Sequence, residues 1–269
     1  MSNNNSIGIF DSGLGGLTVV KAVRKVMPNE SIIYFGDTAR VPYGNKSPEL
    51  IKSYSLQIAD FLINHETKII IVACNTATAL ALETLKHKFN IPVIGVVNPG
   101  VDAALKVTSN SKIGVIGTLS TIGSDVYKNE LVKRNGSIQV TSTPCPLFVP
   151  LAEEGWLDGP ATKIIAEQYL ETIKEANVDT LILGCTHYPL LTEVIQEVTT
   201  PKVHLVDSAH AMAVNASEEL HKKQLLTDSK SKGKLKLFVS DLPARFETVA
   251  NRFLGEEIKN VEKINLDTV

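Results

Sequence analysis

The sequence predicts an α/β protein made of two similar halves, each carrying a mostly parallel sheet. Three observations carry this prediction. Short β-branched runs alternate with longer amphipathic segments. The short runs are apolar throughout rather than at every second residue, the pattern of parallel strands covered on both faces. Three pairs of segments also repeat at nearly one spacing: IGIFDSG from Ile7 with IGVIGTL from Ile113, IIIVACNT with TLILGCTH around Cys74 and Cys185, and IPVIGVVNPG from Ile91 with PKVHLVDSAH from Pro201. A duplicated α/β unit explains one common spacing better than chance likeness among βα turns.

The expected strands are Ile7–Phe10, Ser31–Gly36, Lys68–Ala73, Val93–Val97, Ile113–Gly117, Ile138–Ser142, Thr180–Gly184 and Val203–Val206. Helical patterns lie between them. Leu17–Met27 stops at Pro28, and Ser47–Asn64 opens with Ser47 as N-cap and Pro48 at the first helical position. Ala77–Phe89, Ile164–Ala176 and the region around Ala211–Lys223 are also helical. Asn98–Pro99–Gly100 has turn chemistry and suggests a crossing between halves, with a second near Asp207–Ser208. The expected division is therefore 1–97 with 209–269 in one half and 98–208 in the other. Lys222–Lys236 reads as an exposed charged loop before a last strand, Leu235–Val239, and a final helix near Ala244–Phe253.

At 269 residues the chain is long enough for two cores. Lys and Arg number 27 and Asp and Glu 29, a net charge of −2 that carries no basic footprint for nucleic acid. The polar start MSNNNS lacks the pattern of a signal peptide, and no apolar run is long enough to span a membrane. Three cysteines, Cys74, Cys145 and Cys185, do not form a disulfide framework and fit a reducing cytoplasm. They and the scattered histidines lack metal-ligand spacing, so no metal is expected.

Cys74 and Cys185 each end an apolar strand ahead of a helix-like segment, where open α/β sheets bind ligands. A helix N-terminus there would favour the thiolate, below the ordinary value of about 8.5. The following pairs, Asn75–Thr76 and Thr186–His187, offer donors for a carboxylate. A lone cysteine at a strand end is ordinarily packing. Two at equivalent places in a repeat, each followed by a polar pair, are much harder to treat so. Facing one another across a cleft, two thiols suit proton removal from one face of a stereocentre and delivery to the other.

Other segments converge on the same cleft. In the run from Ile7 to Thr18, Asp11 and Ser12 follow the first strand; Asp11 reads either as a helix N-cap or as a carboxylate beside Cys74. The GLGG that follows lacks dinucleotide-loop spacing and suits a tight turn or close backbone approach. The loop Gly36–Gly44 places Tyr43 and Gly44 as substrate contacts or as an ordinary turn. His187 reads as a partner for Cys185 or as a capping group. Cys145, between two prolines, reads as structural; Glu153 and Glu154 read either as a solvated pair or as carrying one functional carboxylate.

The motifs IGIFDSGLGGLTV, GDTARVPYG, ACNTATA and LGCTHYPLL together resemble the bacterial glutamate racemases of the aspartate/glutamate racemase superfamily. They run from Ile7 to Leu191; hydantoin and aspartate racemases are less similar. The resemblance implies two flavodoxin-like α/β domains in pseudo-twofold arrangement with the active site between them. It implies cofactor-independent interconversion of L- and D-glutamate, the D-enantiomer serving peptidoglycan synthesis, in a cytoplasmic homodimer. Carried over by motif, Cys74 acts on the D-enantiomer with Asp11, and Cys185 on the L-enantiomer with His187. Ser12, Tyr43, Gly44, Asn75, Thr76 and Thr186 hold the substrate, and Asp37, Thr118, Thr121 and Glu153 form a second set of candidates. Two other classes compete: a hydrolase using Cys185, His187 and Asp207, and a non-catalytic amino-acid-binding protein.

Overall fold

The computed structural model describes residues 3–255, 258 and 260–266. In chain order its elements are β1 (Ile7–Asp11), α1 (Leu17–Val26), β2 (Ile32–Gly36), α2 (Pro48–Asn64), β3 (Ile69–Val72), α3 (Asn75–Lys88), β4 (Val93–Gly95) and α4 (Val97–Val107). They continue with β5 (Lys112–Gly117), α5 (Leu119–Gly123), α6 (Val126–Arg134), β6 (Gln139–Pro144), α7 (Phe148–Glu154), α8 (Pro160–Glu175), β7 (Thr180–Gly184), α9 (Thr192–Thr199) and β8 (His204–Asp207). The last are α10 (Ser208–Lys222), β9 (Leu235–Val239), α11 (Pro243–Leu254) and β10 (Val261–Lys263).

Two sheets result, ordered β10-β9-β2-β1-β3-β4 and β6-β5-β7-β8. Every strand pairing described is parallel. The inner order of the first sheet, 2-1-3-4, recurs in the second, so β1, β3 and β4 correspond to β5, β7 and β8. These are the strands of the three repeated segment pairs. The first sheet carries two further strands, β9 and β10, beyond β2.

Side chains alternate across each sheet, and both faces are covered, which is why the strands are apolar throughout. Ile7, Ile9, Tyr34 and Ile71 pack on one side of the first sheet with α1, α10 and α11. Phe10, Ile33, Phe35, Ile70 and Val72 face the other way onto α2 and α3. In the second sheet Ile116, Leu181 and Leu183 meet α8 and α9, whereas Ile113, Val115 and Ile182 meet α4 and α6.

Local chemistry sets the element ends. The Ser47 hydroxyl caps α2 by accepting from the Leu50 amide, with Pro48 at its first position. Asp207 caps α10 through the Ala209 amide. The expected turn at Asn98–Pro99–Gly100 is instead the first turn of α4. A proline is tolerated there because its missing N–H would have had no helical partner. The fourth strand accordingly stops at Gly95 rather than Val97. Leu235–Val239 is not the last strand, since Val261–Lys263 adds to its far edge. At the opposite end of the strands from the site, fully buried Lys68 donates to Glu30 Oε2 at 2.6 Å and to the Asn3 carbonyl, tying the start of the chain to the sheet.

Candidate active site

β3 and β7 occupy the same place in their sheets; Cys185 follows β7 directly and Cys74 follows β3 after Ala73. Both thiols border one cavity, together with Ser12, Tyr43, Gly44, Asn75, Thr76, Thr118, Thr186 and His187. Its free volume is only about 20 Å³, room for about one water. An outer groove of about 340 Å³, lined by Val41, Leu147 and Glu153 among others, shares Gly44 and Thr118 with the cavity and leads toward it.

The two thiols differ in setting. Cys74 is the N-cap of α3, and its Sγ accepts from the Ala77 amide at 3.4 Å. Burial pushes its thiol up to about 12, and the Asp11 carboxylate adds to the rise; the Ala77 amide and Ser12 hydroxyl oppose it. The expected depression of this thiol is thus reversed, because removal from water outweighs one long bond from a helix amide. Cys185 has no helix directly behind it, contrary to the sequence reading. A 3₁₀ turn over Tyr188–Leu191 precedes α9. Its partner is His187, whose Nδ1 lies 3.8 Å from Sγ, and whose Nε2 lies 3.1 Å from Glu153 Oε1.

Burial disfavours the His187 charge and is the largest single influence, but the bonds to Cys185 and Glu153 together lift the imidazole to about 10. Glu153 is therefore no solvated surface acid: it forms the outer end of a Cys–His–Glu chain. Asp207, engaged at the cap of α10, is not the third member that a hydrolase triad would need. The His187 shift has a thermodynamic sign. In the unfolded chain the imidazole loses its proton near pH 6.5, whereas the folded chain keeps it to about 10. The contribution is full below pH 6.5 and is lost as pH rises through 10. Urea midpoints are expected to fall across this window, and His187→Gln is expected to flatten the fall; parallel profiles would refute the shift.

Asp11 is fully buried beneath the cavity rather than on its wall. It accepts from the Gly13 amide at 3.0 Å and from the Thr186 hydroxyl at 3.3 Å, while the N-cap of α1 is Gly16. Burial raises its pKa, against the pull of the His187 charge and these donors. The glycines of the GLGG segment serve close approach: a Cβ at Gly15 would lie 2.2 Å from Thr186 Oγ1 and 2.6 Å from His187 Nδ1. A second seam is formed at Gly44, where a Cβ would come within 2.8 Å of Thr118. Ser120 donates to the Gly44 carbonyl at this seam.

Thr76, Thr118 and Thr121 form a triangle of hydroxyls 2.9–3.1 Å apart, joining the first helix turn after Cys74 to the loop after β5. Thr76 and Thr118 face the cavity, and Thr121 stands behind them, off its wall. Asp37 also lies off the cavity wall: it accepts from Tyr43, Arg40 and Ser240, and so braces the Tyr43 ring from behind. Cys145 is buried with its Sγ 3.6 Å from the Thr143 carbonyl. Burial raises its pKa, and it packs in the core with Phe148 and Tyr188. Val41, Pro42 and Val149 line the cavity and carried no sequence signal of their own, being apolar residues of loops and short helices.

Residues 17–216 match the Asp/Glu/hydantoin racemase family. The chain is 51% identical over 262 residues to a glutamate racemase of Geobacter metallireducens, covering 97% of each. A glutamate racemase isoform of Bacillus anthracis superposes with a TM-score of 0.94 at 39% identity, over 97% of this chain and 98% of that one. A Francisella tularensis glutamate racemase in complex with D-glutamate gives 0.93 at 40% identity, over 99% and 100%. Fold, cavity and matches define the class, an amino-acid racemase of the isomerases. The chain belongs to the Asp/Glu/hydantoin racemase family, and within it to the glutamate racemases.

Proposed function

We propose that the protein interconverts L- and D-glutamate by moving a proton between two cysteines, with no added cofactor. The observation that carries this reading is the pair of buried thiols, from equivalent strand ends of two sheets, on one small cavity. Cys185, assisted by His187, removes the α-proton of L-glutamate while the Cys74 thiol protonates the opposite face. Cys74, assisted by Asp11, starts the reverse reaction. Ser12, Tyr43, Gly44, Asn75, Thr76 and Thr186 hold the substrate. Asp37, Thr118, Thr121 and Glu153 keep these groups in place.

The α-proton is weakly acidic, so negative charge that develops on the substrate must meet donors already in position and shielded from water. The N-terminus of α3 supplies amides beside Cys74. On the Cys185 side the His187 charge takes that part. A cavity this small admits glutamate only when its walls part; the two halves that would move are 1–97 with 209–269 and 98–208. The D-glutamate made would serve peptidoglycan synthesis in the cytoplasm, from a homodimer. Among the described residues no helix is long and apolar enough to cross a membrane.

The test is enantiopure glutamate in D₂O, followed by circular dichroism and α-proton NMR. Loss of optical activity with α-deuterium gained is expected without added metal or cofactor. Glutamate that stays optically pure while aspartate racemises would overturn the substrate; no change in either would overturn the reaction.

A further inference from the structure

Asn75 is 2% exposed and lines the cavity, yet its Nδ2 has no protein partner. An unsatisfied buried donor is costly unless something it meets in use repays the cost. Its other end is firmly held. Asn75 Oδ1 accepts from the Tyr127 hydroxyl at 2.6 Å. Tyr127 lies on α6, in the layer of the second sheet, and is itself 2% exposed.

The Tyr127 O–H is turned toward Asn75. An O–H can only donate to the amide oxygen, never to the NH₂ group. The amide is therefore locked with Nδ2 away from Tyr127. Small residues make room for the ring: a Cβ at Gly184 would lie 3.2 Å from Tyr127 Cε2, and one at Gly100 3.3 Å from Ser208 Cβ.

We propose that Tyr127 is a positioning residue that selects one orientation of the Asn75 amide and so presents Nδ2 as a hydrogen-bond donor to a substrate carboxylate. The proposal rests on the reading that amino-acid substrates bind in this cavity. Tyr127 does not itself line the cavity and acts through Asn75. Without the phenol the amide can turn over and offer its oxygen to a carboxylate, which repels it.

The experiment compares the full-length wild type with Tyr127→Phe, Asn75→Ala and the double variant, measuring kcat and KM for both glutamate enantiomers, calorimetric glutamate affinity, and Tm. Tyr127→Phe is expected to raise KM about tenfold, the size of effect of losing one hydrogen bond to a charged group, with kcat changed less. Because the two enantiomers are equal in energy, kcat/KM must fall equally in both directions. The double variant is expected to be no worse than Asn75→Ala, the non-additivity of residues acting through one another. Should Tyr127→Phe fold poorly, Asn75→Asp keeps an acceptor for the phenol but replaces Nδ2 by an oxygen, and is expected to raise KM in the same direction to a larger extent. Unchanged KM in folded variants, or strictly additive losses in the double variant, would overturn the proposal. Racemisation by the wild type tests the reaction separately, while glutamate affinity across the variants decides Tyr127 on binding alone.

Discussion

Replacement of either Cys74 or Cys185 by alanine is expected to lower glutamate racemisation by roughly a thousandfold in both directions, the scale of one lost acid–base group. On the proposed mechanism the two thiols are not spare copies, since inversion needs a donor and an acceptor on opposite faces. The variants should differ in a second readout. In Cys185→Ala, Cys74 can still take the α-proton of D-glutamate and return a deuteron from D₂O to the same face. D-Glutamate should then gain deuterium without inverting, whereas L-glutamate should not. Cys74→Ala should show the reverse preference. A Cys74→Ala protein with full activity would remove the two-base mechanism and favour chemistry centred on Cys185 and His187 alone. The stability of these variants should change little by comparison, because each loses one sulfur atom beside a cavity rather than a packed branch of the core.

Gly15→Ala carries the second largest expected effect, although Gly15 holds no reactive group. The added methyl would sit 2.2 Å from Thr186 Oγ1 and 2.6 Å from His187 Nδ1, distances no packed carbon adopts. The side chains must move, and they are the two that adjoin Cys185 and Asp11. A displacement of about 1 Å in catalytic groups costs on the order of a hundredfold. Overpacking of this kind costs about 1–3 kcal/mol of stability. The expected result is a fall in kcat/KM of about a hundredfold in a protein that still unfolds cooperatively. Near-normal kcat/KM would mean that the approach of this loop to Thr186 and His187 is not needed for turnover.

Much of the fold was legible because its rules are local. Continuous apolar runs identify strands covered on both faces, and the repeat spacing pairs β1, β3 and β4 with β5, β7 and β8. Ser47 announced its own helix. What escaped the sequence was decided by context. Pro99 has the chemistry of a turn and the position of a helix start, and only the incoming strand at Gly95 settles which. Val261–Lys263 is short and half polar, as an edge strand can be, and offers no pattern to read.

The site divides in the same way. Cys74, Cys185 and their neighbours stand at strand ends, where α/β topology brings ligands. The charge states were not legible. A helix terminus behind Cys74 suggested a depressed thiol, and burial reversed it. Glu153 gave no hint of its partner, since His187 reaches it only through the fold. Tyr127 was invisible for the same reason: its meaning lies in Asn75, on the other sheet's layer.

A proton exchange between two thiols would leave the protein with a memory. On the two-cysteine mechanism, converting an L molecule leaves the proton on Cys185 and takes one from Cys74. The protein that releases D-glutamate is thus not the protein that bound L-glutamate; it is poised for the return journey. Before another L molecule can react, the proton must find its way back across the cavity. With space for about one water between the walls, that reset depends on a single messenger or on the moment of opening. Traffic in one direction would then be paced by how quickly the empty site forgets its last substrate.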